Sequence, residues 1–152
     1  MLRLEPIGVL RTGRIDRDDT PVQAAANLDE EGVAVVDERY GPALDGLSGF
    51  SHVWLLTWLS PDDEPPEVEL QQRPFLRPDG PPLGIFALRG PRRPVPIGLS
   101  LVEVVSVDAN EVRFRGVDVI DGTLLLDLKP YFTDADFPRS DVRCGWFDDI
   151  ER

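Results

Sequence analysis

Arg89, Arg92 and Arg93 fall inside one short stretch, "RGPRRPVPIGLS" (Arg89–Ser100), interleaved with Pro91, Pro94 and Pro96. A guanidinium presents a planar fork of donors that fits a carboxylate or phosphate bidentately. The prolines fix φ and remove backbone donors, so neither a helix interior nor a central strand forms across them. A fork preorganised on such a loop loses little freedom on binding, and Gly98 lets the backbone approach a ligand closely. The same composition also suits a stiff crossover whose arginines are merely solvated.

A second group lies in "DVIDGTLLLDLKPY" (Asp118–Tyr131). Asp118, Asp127 and Tyr131 could gather at one strand end, where a carboxylate accepts sugar hydroxyls or a proton. Asp121-Gly122 is a tight-turn signal, and a core strand plus a turn explains the segment without any site. Lys129 is the only lysine in the chain. The single histidine, His52, sits in "LDGLSGFSHVW", where a hydrogen-bonded structural residue is the default reading.

One His and one Cys, Cys144, leave no internal disulfide, no Cys- or His-based metal centre and no Ser–His–Asp or Cys–His pair, so no metal is expected. Dinucleotide, P-loop, zincin and nucleophile-elbow motifs are missing as well. Chemistry would run on carboxylates, arginines, a tyrosine and the backbone.

The formal net charge is -12, which argues against a protein coated in nucleic acid. Between Arg73 and Arg115, however, seven arginines face four acidic residues, a local balance of +3 against -15 for the rest. A basic zone on an acidic body suits a confined anionic ligand or a small phosphate footprint, unless the arginines are scattered over the surface. No apolar run approaches the ~20 residues that span a bilayer, and the N-terminus has no signal-peptide pattern. A cytoplasmic protein with a single domain over residues 1–152 is expected, with no membrane partner.

The elements that must position these residues read mainly as strands: Ile7–Arg11, Gly32–Glu38, Phe50–Leu59, Leu83–Leu88, Leu99–Val107 and Thr123–Tyr131. In Phe50–Leu59, Phe50, His52, Trp54, Leu56 and Trp58 share one face, with Val53, Leu55 and Leu59 on the other. A strand apolar on both sides must be covered twice, by the core and by another layer or subunit. "DAN" (Asp108–Asn110) turns a hairpin into "EVRFRGVDVI", where Gly116 reads as a β-bulge. Along Thr123–Tyr131, Leu124, Leu126 and Leu128 are expected opposite Leu125, Asp127 and Lys129. Thr20–Asn27 and "ALDGLSG" offer short helical turns. The Pro- and Glu-rich connection Pro61–Pro82 reads as a lid, a binding loop or a disordered insertion. The fold class is all-β, a small, mostly antiparallel β-barrel (or sandwich) with one or two short helical turns.

In order, "PIGVLR" (Pro6–Arg11), "GLSGFSHVW" (Gly46–Trp54), "GIFALRGPRRPVPIGLS" (Gly84–Ser100) and "VDVIDGTLLLDLKPYFTDAD" (Val117–Asp136) resemble the TsaA-like family, also called TrmO. The resemblance covers nearly the whole chain and implies a homodimeric β-barrel that binds S-adenosylmethionine. The activity it implies is methylation of N6 of threonylcarbamoyladenosine beside the anticodon of tRNA. By position it assigns cofactor contacts to Val22, Gln23, Ala24, Ser60, Pro61, Arg89, Leu99, Asp121, Gly122, Thr123 and Leu124. Arg92 and Arg93 would meet the substrate, and Asp127 or Tyr131 would take the N6 proton. The chain departs from the family pattern at Arg92, Val95, Ser60 and Leu124, which leaves two alternatives: a different acceptor, or a non-enzymatic binding role. The family also has members with an extra C-terminal domain, which a single domain over residues 1–152 is not expected to include.

Overall fold

The computed structural model describes residues 1–16, 18, 20–21, 27–60 and 64–151. Its framework is a closed barrel of six antiparallel strands: β1 (Gly8–Arg11), β2 (Glu31–Val36), β3 (His52–Trp58), β6 (Ile97–Asp108), β7 (Glu111–Arg115) and β8 (Leu124–Pro130). Their order around the wall is β1-β2-β7-β6-β3-β8, and β8 closes onto β1 through Gly8↔Leu125 and Val9↔Leu124. Closure removes both open edges and leaves an interior that side chains can fill. Phe114, 1% exposed, reaches across to Gly32, its ladder partner, where a Cβ would come 2.6 Å from the ring.

The period-2 pattern of β3 holds. Val53, Leu55 and Thr57 point inward, while Trp54, Leu56 and Trp58 lie half-buried outside. At the end of the barrel where β3 starts, 3₁₀ turns at Glu38–Leu44 and Leu47–Gly49 bring Leu44 and Leu47 into the core. At the other end, Val117 and Val119 leave β7 and turn inward.

Four expectations change. Gly116, at φ 104°, follows the last residue of β7 and forms no bulge. The bulge lies across the ladder on β6, where Val104↔Phe114 is followed by Ser106↔Arg113 and Val105 is extra. A second irregularity puts Leu126 out of step between Leu56↔Asp127 and Thr57↔Leu125. Leu125 and Leu128 therefore both face the core, and strict alternation along β8 fails. Leu83–Leu88 yields only β5 (Leu83–Gly84) and a 3₁₀ turn at Ile85–Ala87, because Ile85 is drawn into a buried contact.

The fourth change concerns Pro61–Pro82. Its residues 64–82 carry β4 (Gln71–Gln72), which pairs with β5, so this part is docked. Buried Gln72 donates from Nε2 to the carbonyls of Glu69 (2.7 Å) and Arg92 (2.8 Å). The turn expected in Thr20–Asn27 falls mostly outside the described residues. After β8, α1 (Thr133–Asp136) is a single turn.

Candidate active site

Antiparallel order places the ends of β1, β3 and β7 and the starts of β6 and β8 at one end of the barrel. A cavity of about 230 Å³ opens there, lined by Leu59, Leu88, Arg89, Arg93, Ile97, Gly98, Leu99, Ser100, Asp118 and Val119. Leu59 is fixed by donating its backbone N–H to the Pro96 carbonyl at 2.8 Å. Gly98 is needed for close approach: a Cβ would run into Thr57 Oγ1 and sit 2.9 Å from Leu59 Cδ2.

Among the described residues, three ionisable groups line this cavity. Arg93 folds back, donating from Nη1 to the carbonyls of Leu88 (3.1 Å) and Gly90 (3.4 Å), and rivets its own loop. Arg89 leaves the turn Ile85–Ala87, whose last residue accepts a 2.8 Å bond from Trp146 Nε1. Asp118 receives the hydroxyl of Ser100, 2.7 Å from Oδ1 and 2.9 Å from Oδ2. Ser100 is itself 5% exposed, so it orients the carboxylate from inside the wall. Among described residues, Thr57 Oγ1 is the one buried side-chain polar atom without a hydrogen-bond partner.

The Asp121–Thr123 corner docks on the end of β1 at the same end of the barrel. Gly122, at φ 82°, turns the chain in the left-handed region that favours glycine. Gly122 N–H donates to Leu10 O, Leu10 N–H to Thr123 O, and Thr12 N–H to Asp121 Oδ1. Thr123 Oγ1 closes the corner on Ile120 O at 2.7 Å. Leu124 pairs with Trp58, which pairs in turn with Ile97, a row running across the outer wall. Beside this corner, Arg14 grips Glu30 at 2.7 Å and Asn27 donates to both Glu30 and Val117 O. The Arg14 hydrogen bond, with a smaller contribution from Asn27, holds the Glu30 carboxyl below its ordinary range despite partial burial.

The structure therefore brings Arg89, Arg93 and Leu99 into one cavity and sets Asp121, Gly122, Thr123 and Leu124 at that end. Ser60 follows Leu59 directly. Val22, Gln23, Ala24 and Pro61 lie outside the described residues. Arg92 turns away and pairs with Glu69 at 3.2 Å.

Asp118, Asp127 and Tyr131 do not gather at one strand end. β8 is extended, so Tyr131 lies about 23 Å along it from Leu124. There its ring meets Trp54 and His52. Asp127 faces outward, paired with Lys129 at 3.0 Å and about two strand spacings (~10 Å) from Leu99. His52 bonds Ser51 Oγ at 2.8 Å in the exposed cluster with Tyr131, far from the cavity.

Ser100 and Leu88 lie inside the quoted blocks and Gln72 outside them, but the sequence gives no sign of what each one holds, because only the tertiary contacts show it. A larger open groove, about 510 Å³, lies at the opposite end. Its only charged liners are Asp37 and Glu38, which offer nothing to an anion. Among described residues no acidic, His or Cys cluster could hold a metal, and no helix is long and apolar enough to cross a membrane.

The arrangement supplies a guanidinium, an oriented carboxylate and apolar walls in a confined space. Comparison with known proteins points the same way. A probable S-adenosyl-L-methionine-binding protein of Pyrococcus abyssi is 36% identical over 97% of this chain and 77% of its own length. Another, from Methanothermobacter thermautotrophicus, is 38% identical over 89% and 93%. The human tRNA (adenine(37)-N6)-methyltransferase is 32% identical over 91% of the chain but only 32% of its own length. The crystal structure of TrmO from Pseudomonas aeruginosa superposes with a TM-score of 0.80 at 29% identity, covering 100% of this chain. The chain spans 65% of that structure's length. The family profile described as "tRNA-methyltransferase O N-terminal domain" matches residues 9–137, and the chain belongs to that family.

Proposed function

We propose that this protein is an S-adenosylmethionine-dependent methyltransferase that modifies N6 of threonylcarbamoyladenosine next to the anticodon of tRNA. The observation that carries the reading is the cavity at the strand ends. Leu99 from the Pro-Ile-Gly-Leu-Ser block and Arg89 from the start of the same loop meet Asp118 there, inside the family's matched span. The methyl donor supplies an activated methyl group on a sulfonium. Transfer needs in-line alignment of that methyl with the acceptor nitrogen, so rigid positioning supplies much of the rate. The Arg93 rivet, the Gln72 clamp and the Trp146 bond all stiffen the loop that carries Arg89.

A homodimer belongs to the same proposal. The outer face of β3 and β6 presents Trp54, Leu56 and Trp58 beside Ile97 and Leu99, the last two 40% and 46% exposed. An apolar strip of this kind suits burial against a second copy. Within one chain Tyr131 stands too far from the cavity to take the N6 proton, so it or Asp127 would serve from the other copy. A cytoplasmic location follows from the tRNA substrate.

A second reading keeps the cofactor and changes the acceptor. Arg92 is paired with Glu69 and Arg93 is folded back, which weakens the cationic footprint expected for tRNA. Val95, 53% exposed, adds apolar surface to the same loop. Nucleoside mass spectrometry of tRNA from a deletion strain separates the two. Loss of methylated threonylcarbamoyladenosine supports the first reading. An unchanged level, with calorimetric binding of S-adenosylmethionine intact, supports the second. Absence of both binding and a thermal shift removes both and leaves a non-enzymatic role.

A further inference from the structure

After β8 the chain first stays at the end of the barrel where β3 starts. Asp136 Oδ2 accepts there from Trp54 Nε1 at 3.1 Å and from Phe132 N–H at 2.9 Å. Residues 132–145 are exposed without exception, and residues 137–144 form neither strand nor helix. Ordering such a run costs entropy that it does not recover by burying apolar surface, so its hold lies at its far end. The next residue, Trp146, is half-buried within a 3₁₀ turn at Gly145–Asp149.

That turn is built to present the indole. Cys144 N–H donates to Asp148 Oδ2 at 2.7 Å, and Phe147 N–H donates to the Cys144 carbonyl at 3.1 Å. Trp146 meets Phe147 edge-on, with ring centroids 5.8 Å apart, and donates from Nε1 to the Ala87 carbonyl at 2.8 Å. Asp149 pairs with Arg77 at 3.3 Å. Both partners of that pair are exposed, so it contributes little, and the indole carries the attachment.

The peptide unit between Ala87 and Leu88 is fixed at both polar atoms. Its N–H donates to the Ile85 carbonyl at 3.0 Å, and its C=O accepts from Trp146. Leu88 and Arg89, which follow it directly, both line the cavity. Released on its carbonyl side, the unit turns more freely and carries those two liners with it. Trp146 does not line the cavity itself, so it acts on the cavity at one remove. It also lies beyond the family's matched span, which ends at residue 137.

We propose that residues 137–149 form a latch, with Trp146 as a positioning residue. With the indole on Ala87, Leu88 and Arg89 are held ready for the methyl donor; with the indole released, the cavity binds more weakly. The proposal rests on the cofactor reading above and adds control of that cavity from outside it. Such coupling is reciprocal: the affinity a closed latch gives the ligand, the ligand gives back to the latch. Occupying the cavity therefore slows the opening of a turn that does not line it.

Amide hydrogen exchange and calorimetry on the full chain test this, with S-adenosylhomocysteine as the probe. In the wild type, the ligand slows exchange at Phe147 and Ile150, whose N–H groups bond within the turn, by roughly threefold or more. Trp146→Phe keeps a ring and removes the donor. It weakens S-adenosylhomocysteine by about three- to tenfold, the scale on which residues outside a site modulate coupling. It also abolishes the ligand-dependent slowing and leaves Tm within about 2 °C, as a surface change does.

Unchanged affinity in Trp146→Phe overturns the latch. So does wild-type exchange at Phe147 and Ile150 that ignores the ligand, or a fall in Tm large enough to explain the weaker binding. A wild type that does not bind S-adenosylhomocysteine overturns the cofactor reading instead, and exchange at the Leu88 amide then decides the latch alone. Faster exchange there in Trp146→Phe than in the wild type supports it, and equal rates overturn it.

Discussion

Replacing Gly98 by alanine adds one methyl group where β6 packs tightly against Thr57 and Leu59. Gly98 pairs with Thr57, and the new Cβ would meet Thr57 Oγ1 and lie 2.9 and 3.0 Å from Leu59 Cδ2 and Cγ. Thr57 is fully buried, so its side chain moves only against the packing of its neighbours. Overpacking by a methyl costs about 1–3 kcal/mol, and the lost chain entropy of glycine returns ~0.4–1 kcal/mol. The net expectation is destabilisation by about 1–2 kcal/mol, or roughly 2–8 °C in Tm for a domain of this size. Urea and thermal melts give the number. S-adenosylmethionine titration of the same sample shows whether displacement of Leu59 narrows the cavity, with a weaker Kd expected. Thr57→Ala removes the colliding oxygen, so the double variant recovers about 1 kcal/mol relative to the sum of the singles. A Gly98→Ala protein that melts at or above the wild-type temperature would refute the close approach, and with it the account of why this wall needs glycine.

Arg89→Ala, read by calorimetry, weakens S-adenosylmethionine binding by about 1.5–3 kcal/mol, roughly ten- to a hundredfold, if Arg89 makes a charge-assisted bond to the donor's carboxylate. An unchanged Kd would remove Arg89 from the site. Thr57→Val keeps the shape and removes a hydroxyl with no partner among described residues, so denaturant melts should show no loss and up to ~1 kcal/mol of gain. A loss above 1 kcal/mol would show that the hydroxyl is satisfied after all. The depressed Glu30 carboxyl makes stability depend on acid. Its contribution is fully present above the ordinary carboxylate range and disappears as pH falls through the lowered folded-state value. Arg14→Ala, whose guanidinium bond is the main cause of the depression, should therefore flatten the acid limb of the stability curve between pH 5 and the acid transition, as followed by melts across pH. An acid limb as steep as that of the wild type would count against this pairing.

Much of the barrel was legible because its strands obey period 2 and its turns carry their own chemistry. Val53, Leu55 and Thr57 alternate with Trp54, Leu56 and Trp58, and Asp121-Gly122 turns where glycine was needed. What failed was local phase. The extra residues at Val105 and Leu126 sit in apolar runs where one more hydrophobic side chain gives no signal of which strand absorbs it. Gly116 attracted the bulge assignment, but it marks a strand end, since nothing in "RFRGVDV" distinguishes the two.

For the site, Arg89 and Leu99 were visible through the loop chemistry and the family blocks. The partnership of Ser100 with Asp118 was not, because eighteen residues separate them and only the turn of the chain after β7 brings them together. Tyr131 attracted attention by chemical type, yet an extended strand carries it away from the very end where Leu124 begins.

The clamp formed by Gln72 has a consequence for how this protein fails. The arginine loop is anchored to a two-stranded ribbon that is separate from the six-stranded wall, through the Arg92 carbonyl, which accepts from Gln72 Nε2 and Glu69 N–H, and the Arg92–Glu69 ion pair. Segments tied by few bonds open at lower free energy than the strands they lean on. Amides near Arg92 should therefore exchange with solvent sooner than those of Leu55 or Val102, while circular dichroism still reports an intact barrel. Ligand recognition is then the first property to go under mild stress, and damage confined to the ribbon would silence the molecule without unfolding it.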